Sequence, residues 1–343
     1  MDIEYHYYIN YLVAAKAGFP PKDAEIIAYA SQYVDENHKI YQINVGQSTA
    51  YANYITQTLN ILKPKDELMR IYPIFHFIPG DPLAPTARRK DGKLHLLNTT
   101  PNSRNANLIM DEAIASDNLY RIGIASHSYV DTWAHQNFVG YYDVFNAMKG
   151  VLSSALPNIG HADAKHSPDW PALIWHDCRL VTSNAQVDNK QRFLDATRHL
   201  FYKYRRCVDS SVSSQCLEHD ADQLICDLDQ AIGDYDTTNH RQGDRIQNYL
   251  GLSEKRSYGH QQLPKFDSRD WFDQAITQSV RGIDDRKAGI IPRFASFRDR
   301  YFWKENHTQS HWYQFQEAAK IHQTASWSIL VETTFHHLEL ENF

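Results

Sequence analysis

Three polar side chains recur at strict four-residue intervals in the segment GIASHSYVDTWAHQNF, residues 123–138. On a helix, a step of four residues advances by about 40°, so His127, Asp131 and His135 would stack on one face. Apolar and aromatic residues flank all three, and burying such groups without partners is costly. A carboxylate between two imidazoles is a ligand set for a borderline cation such as zinc. The stripe predicts a metal-binding helix, with a solvated polar face as the structural alternative.

A hydrolytic metal site takes ligands from several elements and leaves one position open for water or substrate. Further candidates are His6, Asp35 at the end of a predicted helix, and His76 between two phenylalanines. The segment GHADAKHSPD adds His161 and His166. Each has a structural alternative, as a packed histidine or a helix-terminal acid. Three aromatic residues are weaker candidates for the walls of a substrate cleft, with core packing as their default role: Tyr33, Trp133 and Trp170.

Helical spacing of apolar residues dominates the chain and predicts a mainly α, all-α fold. Residues 3–17 and the segment FPPKDAEIIAYASQYVDEN predict a helical hairpin with a Gly-Pro turn. Residues 39–78 predict short strands or extended segments, and 80–105 a long surface loop. Further helices are predicted in 106–138 and near 171–184, 189–206, 218–233, 241–250, 268–280 and 311–335. We expect one helical domain, 1–343, with 206–217 as the best candidate linker to a C-terminal helical extension, 206–343.

Charge and composition narrow the classes of function. The net charge is −6 and the longest basic run is ARRK, so we expect no dedicated nucleic-acid-binding surface. Acidic residues at positions 2 and 4 leave no basic n-region, and no apolar run is long enough for a transmembrane segment. We therefore expect a cytoplasmic protein, or one secreted by a route without an N-terminal signal. The four cysteines lack CxxC spacing and predict free thiols.

The order His6, Asp35, His76, then His-x3-Asp-x3-His and a downstream Gly-His, resembles the zinc-dependent phospholipase C and P1/S1 nuclease superfamily. That resemblance implies an all-α multi-helix bundle that holds three zinc ions in a cleft and cleaves phosphate esters. The opening EYHYYINYLVAAKAGFPPKDAEIIAYASQYVDEN also resembles a family of uncharacterised bacterial proteins with an HYY…AQYVD start. This second resemblance covers most of the chain but implies no activity.

Carried over by position, the superfamily resemblance implies a role for each candidate. His6 would join the N-terminal amine at one metal, Asp35 would contact the nucleophilic water, and Asp131 would bridge two metals. The full set of predicted metal ligands is His6, Asp35, His76, His127, Asp131, His135, His161 and His166, the last of which comes from the sequence and not from the resemblance. Two departures stand out. The histidine after Asp131 comes four residues on instead of six, and the usual acid after the downstream histidine is Lys165, for which Asp163, His166 or Asp169 could substitute.

The sequence therefore predicts a metal-dependent hydrolase of phosphate esters, with one to three zinc ions or other divalent cations. Asp35 would orient or deprotonate a metal-bound water, and the substrate would be a small-molecule or lipid phosphoester. One alternative is an HD-type phosphohydrolase, suggested by the WHD at His176 and Asp177. Another is a non-enzymatic metal-binding or interaction protein. The sequence specifies no oligomeric state.

Overall fold

Two helices, α2 (Pro21–Glu36) and α6 (Leu119–Ala134), pack along each other at the centre of the fold. The structure is a computed structural model that describes residues 1–58, 65–148, 159–281 and 298–338. Helix α6 also contacts α5 (Arg104–Ala115), α7 (Asn189–Val208) and α11 (His311–Thr333). Every residue of α6 from Arg121 onward is buried, as expected for a helix that is surrounded by other helices.

The predicted N-terminal helical hairpin is confirmed. A π-helical segment, Glu4–Ile9, runs directly into α1 (Asn10–Ala17), and Gly18 ends α1 with a left-handed φ of 107°. Helix α2 begins at Pro21, where a proline costs no hydrogen bond. The remaining helices are α3 (Lys65–Met69), α4 (Tyr72–Phe75), α8 (Ser214–Ile232), α9 (Gln242–Ser253) and α10 (Asp270–Ala275).

Within the described ranges, strands are short and form two small sheets. The four-stranded sheet has the order β2-β1-β6-β5, from β1 (Gln42–Ile43), β2 (Tyr51–Ala52), β5 (Ile276–Arg281) and β6 (Arg298–Trp303). Strand β1 is parallel to β6, and the other pairs are antiparallel. A separate antiparallel hairpin joins β3 (Ile174–His176) to β4 (Gln186–Asp188). The mainly α prediction with a few strands is thus confirmed.

Three local predictions are wrong. The predicted helix at 171–184 contains β3, because the apolar and aromatic residues there pair with β4. The predicted helix at 268–280 is helical only over α10, and its β-branched end pairs with β6 as β5. The aromatic stretch around Tyr72, predicted as extended, forms α4 instead. In each case long-range pairing or packing outweighs the local pattern.

The proposed linker 206–217 lies at a turn between α7 and α8, and these two helices pack against each other. The larger hydrophobic cluster includes buried residues from Met1 to Phe335, and a smaller second cluster includes Tyr72, Phe77 and Phe138. All four cysteines are free, as predicted, and the structure places all of them at exposed positions. Among the helices of the described ranges, none combines the length and apolar character that crossing a bilayer requires.

Candidate metal centre

Helix α6 carries the polar stripe into the interior. His127 and Asp131 lie one turn apart, and His135 is the residue that ends the helix. All three are buried. Asp131 Oδ2 lies 3.2 Å from His127 Nε2 and 3.4 Å from His135 Nδ1. One carboxylate therefore sits between two imidazoles, as four-residue spacing on a helix requires.

The N-terminal π-helix brings a third imidazole to the same carboxylate. His6 Nε2 lies 3.2 Å from Asp131 Oδ1, and the His6 ring stacks on His127 with 3.8 Å between centroids. The Met1 amine contacts Asp131 and lies 3.5 Å from Asp169 Oδ1. Burial opposes the charged amine, but these two carboxylates raise its pKa to about 10. Burial lowers the pKa of His6 to about 3, so its lone pair is free at neutral pH.

The ends of α2 and α4 supply a second group of potential ligands. His76 Nδ1 lies 3.1 Å from His127 Nε2, and Asp35 Oδ1 lies 3.7 Å from His127 Nε2 and 3.8 Å from His76 Nδ1. Asp35 is the most accessible of these side chains, with 30% of its side chain exposed. The group therefore has one open side, where water or a substrate could enter.

A third group combines His135 with the loop after residue 158. His135 Nε2 lies 3.5 Å from Asp169 Oδ1, and His161 Nε2 lies 3.6 Å from Asp169 Oδ2. The ring of Phe77 stacks on His135 with 4.4 Å between centroids and covers it on one side. Asp169, one of the three predicted substitutes for the downstream acid, thus lies beside both histidines. Asp169 is distinguished from the other two candidates by its distance from His135, which depends on tertiary structure and cannot be seen in the sequence.

Four histidines of the metal centre each direct one ring nitrogen at a backbone carbonyl. A carbonyl only accepts, so that nitrogen must carry the proton, and the other nitrogen presents its lone pair to the cluster. This arrangement fixes both the tautomer and the ring orientation, as is typical of metal-ligating histidines. The pairs are His127 Nδ1 with Ser31 O at 2.8 Å, His76 Nε2 with Thr56 O at 3.0 Å, His135 Nδ1 with His76 O at 2.9 Å, and His161 Nδ1 with Lys165 O at 2.9 Å.

The local charges keep the carboxylates ionised. Burial alone would raise the pKa of Asp131, but His135, the Met1 amine and the other imidazoles hold it well below its usual range. The pKa of Asp169 is also lowered, since His161, the amine and His135 outweigh the effect of burial. Ionised carboxylates and neutral imidazoles are the protonation states that bind a divalent cation.

The potential ligands form three groups within the described residues. In each group, one donor atom per residue lies within 4.8 Å of the others. Nitrogen and oxygen donors at this spacing fit zinc, and His6 Nδ1 is buried without a hydrogen-bond partner in the described chain. The groups are His6, His127 and Asp131; Asp35, His76 and His127; and His135, His161 and Asp169.

Several sequence candidates lie outside these groups. His166 is exposed and stacks on Trp170. The Trp133 indole donates to Asp195, and the Tyr33 hydroxyl accepts from another indole, so both aromatic residues are held in packed positions. The WHD motif lies at the end of β3: its histidine is exposed and its aspartate pairs with an arginine two residues on.

Comparison with curated proteins and with solved structures finds no match to this chain. The model of a family of unknown function, DUF6765, matches residues 1–330. Since the match spans nearly the whole chain, this protein belongs to the DUF6765 family.

Proposed function

We propose that this protein is a metal-dependent hydrolase of phosphate esters. The observation that carries the proposal is the approach of two lone pairs. His76 Nδ1 and His127 Nε2 lie 3.1 Å apart, and each ring uses its other nitrogen to donate to a carbonyl. Two lone pairs at this distance repel each other unless a cation lies between them.

The spacing and surroundings of these two nitrogens favour a metal ion as that cation. Two nitrogens bound tetrahedrally to zinc at about 2.05 Å would lie about 3.3 Å apart. Asp35 Oδ1 and Asp131 Oδ2 also converge on His127 Nε2, at 3.7 and 3.2 Å. The competing occupant is a proton on His127. Burial disfavours that proton, but Asp131 and Asp35 raise the pKa of the ring, so metal analysis must distinguish the two.

The residues of the centre would have two tasks, which are to hold the metal and to transfer a proton. A zinc ion held by His76, His127 and Asp35 would supply a bound water with a pKa near about 7. Asp35 is the partly exposed carboxylate at this group, and it would orient the attacking water and accept its proton. Asp131 lies between the groups and would hold neighbouring cations together, which suits a phosphate ester with its negative oxygens.

The resemblance to the zinc-dependent phospholipase C and P1/S1 nuclease superfamily supports the same class of reaction, because all the predicted ligands except His166 belong to the three groups. The substrate we propose is a small-molecule or lipid phosphoester. The HD-type alternative draws no support from the geometry: Asp177 is held by Arg179 at 2.6 Å, and His176 is exposed.

The test compares two adjacent acids. Asp35→Asn should fold and keep its amide oxygen as a potential ligand, and its turnover of bis-p-nitrophenyl phosphate per bound zinc should fall by about 10²- to 10⁴-fold, the range for a general base. Glu36→Gln, its neighbour on α2, should retain activity. Metal content is measured by plasma mass spectrometry on the same samples.

Each alternative outcome has a definite meaning. A protein that takes up no stoichiometric transition metal would refute the metal centre. Full activity in Asp35→Asn would refute the role of that carboxylate. Stoichiometric zinc without hydrolysis of generic phosphodiesters would favour a structural or sensing metal, and His127→Ala would then unfold the protein rather than inactivate it.

A further inference from the structure

A cavity of about 500 Å³ is lined by residues outside the metal centre. Its walls come from the β3–β4 hairpin, the first turns of α7 and the C-terminal end of α6. None of its lining residues belongs to the three ligand groups described above. Carboxamides are prominent in the lining, with Gln136, Gln186 and Gln191 among them.

The distinctive feature of this cavity is an arginine with a buried N–H group that has no hydrogen-bond acceptor among the described residues. Arg192 lines it, and its Nη1 is buried with no hydrogen bond to any part of the chain that the structure describes. The acid that most favours its charge, Asp177, is already bound by Arg179 through two hydrogen bonds of 2.9 and 2.6 Å. Burial lowers the pKa of Arg192 to about 9, which still leaves the guanidinium charged at neutral pH.

The two carboxylates that line the cavity are also engaged. Asp188 accepts the backbone N–H of Gln191 at 3.2 Å and the hydroxyl of Tyr235 at 2.6 Å. Asp195 accepts the indole N–H of Trp133 at 2.6 Å. Both acids therefore accept hydrogen bonds from neutral donors, and the charge of Asp188, like that of Asp177, favours the guanidinium of Arg192. Arg192 Nη1 nevertheless has no hydrogen-bond acceptor among the described residues. A guanidinium N–H without an acceptor lowers stability, and an oxyanion in the cavity that Arg192 lines would supply one.

The carboxamides indicate the rest of the ligand. Gln136 uses its Nε2 on the Trp133 carbonyl, which leaves its oxygen as an acceptor. Gln186 and Gln191 line the same cavity, and a carboxamide both donates and accepts, which suits hydroxyl groups. We propose that this cavity is a binding site for a small polyhydroxylated oxyanion, of the class of sugar acids and sugar phosphates, whose anionic group pairs with Arg192.

The test uses the metal-loaded protein and isothermal titration with gluconate and glucose 6-phosphate, with uncharged glucose as a third ligand. Saturable binding of at least one anion is expected, with much weaker binding of glucose. Arg192→Met should weaken it by about tenfold or more, since a hydrogen bond to a charged group is lost. Arg198→Met is the matched control, because Arg198 lies on the same helix and pairs with surface acids. Its binding should equal that of the unmodified protein.

Glucose 6-phosphate would also bind at the proposed metal centre because it is a phosphate ester. The quantity to compare is therefore the difference in binding between the unmodified protein and Arg192→Met. Thermal unfolding without ligand provides a second measurement. Arg192→Met should have a Tm no lower than the unmodified protein, because no partner is lost. Three results would overturn the proposal: no saturable binding of either anion, equal affinity in Arg192→Met, or a clear fall in Tm that reveals a structural partner.

Discussion

Asp131 Oδ2 lies 3.2 Å from Nε2 of His127, one helical turn earlier on α6, while Oδ1 of the same carboxylate lies 3.2 Å from His6 Nε2. One buried side chain therefore contacts imidazoles from two segments that are more than a hundred residues apart. This relationship makes Asp131 the residue on which the separate ligand groups depend.

Replacing Asp131 with asparagine should remove most of the bound zinc. The amide group cannot offer two anionic oxygens, and its NH2 cannot serve as a ligand. Plasma mass spectrometry of the purified variant measures the loss. Asp222→Asn is the control, since Asp222 is 68% exposed and pairs only on the surface with Arg198. A full zinc complement in Asp131→Asn would contradict the bridging role.

A buried ion pair holds the N-terminal π-helix in place. Glu4 accepts two hydrogen bonds from Arg245 of α9, at 2.8 and 2.7 Å, and a third from Tyr249 at 3.1 Å. Both charged side chains are almost fully buried. Since His6 follows Glu4 by two residues, this pair positions the first imidazole of the metal centre.

Arg245→Met should lower the free energy of unfolding by about 3–5 kcal/mol, because it leaves the Glu4 carboxylate buried and unpaired. The double variant with Glu4→Gln should recover much of that loss, since the Glu4 charge is then removed as well, and Asp236, the other acid that pairs with Arg245, keeps the backbone N–H groups of Thr238 and Arg241 as donors. Urea denaturation of the three proteins measures both effects. If the single variant lost less than about 1 kcal/mol, the pair would contribute little to stability.

The metal centre shows which features a sequence can predict. The stripe on α6 was predictable because helical periodicity alone fixes which side chains share a face. Resemblance to a known ligand order indicated His6, Asp35 and His76, but periodicity cannot show that three distant segments meet. Asp169 was one of three candidates, and only its position beside His135 and His161 distinguishes it.

Features that depend on tertiary partners could not be predicted. The pairing of Glu4 with Arg245 joins residues 241 positions apart, so local spacing carries no sign of it. The absence of a partner for Arg192 is visible only once the described neighbours are placed. Strand β3 was predicted as a helix because its pairing with β4 lies outside any local window.

The close contact of α2 with α6 depends on Gly123. A Cβ at this position would lie 2.5 Å from the Ile27 carbonyl oxygen and 2.7 Å from the Ala30 Cβ. Gly123 precedes His127 by one turn, and the close approach lets the Ser31 carbonyl accept from His127 Nδ1 at 2.8 Å. The glycine therefore supports both the packing and the orientation of a ligand.

Gly123→Ala should destabilise the protein by about 1–3 kcal/mol, the usual cost of overpacking, and should weaken zinc binding. Gly251→Ala is the control, because Gly251 lies on the exposed surface of α9, where an added Cβ would have no neighbour within 4 Å. Alanine there should be neutral or stabilising by up to about 1 kcal/mol. Thermal denaturation and zinc titration test both variants. Equal stability of the two would show that α2 can shift without cost.

His322 on α11 should make the protein sensitive to acid. The ring is fully buried, its Nδ1 has no hydrogen-bond partner among the described residues, and its Nε2 lies 3.3 Å from Ser326 Oγ. Burial, with a smaller effect of the Arg121 charge, lowers its pKa to about 3. Below about pH 6.5, His322 therefore binds a proton in the unfolded chain but not in the folded chain. The stability that is present above that pH is consequently lost as the pH falls toward 3.

On acidification from about pH 7.5 to about pH 5, this single group should lower the free energy of unfolding by about 2 kcal/mol. The lower pH lies about 1.5 units below the pKa of an unfolded histidine, and each unit contributes roughly 1.4 kcal/mol. His322→Gln should therefore lose about 2 kcal/mol less on acidification than the unmodified protein. His260→Gln, at an exposed position, should follow the unmodified profile. Urea denaturation at both pH values measures the difference. All other titrating groups are shared by His322→Gln and the unmodified protein. Parallel profiles of unfolding free energy against pH would therefore show that His322 accepts its proton without unfolding.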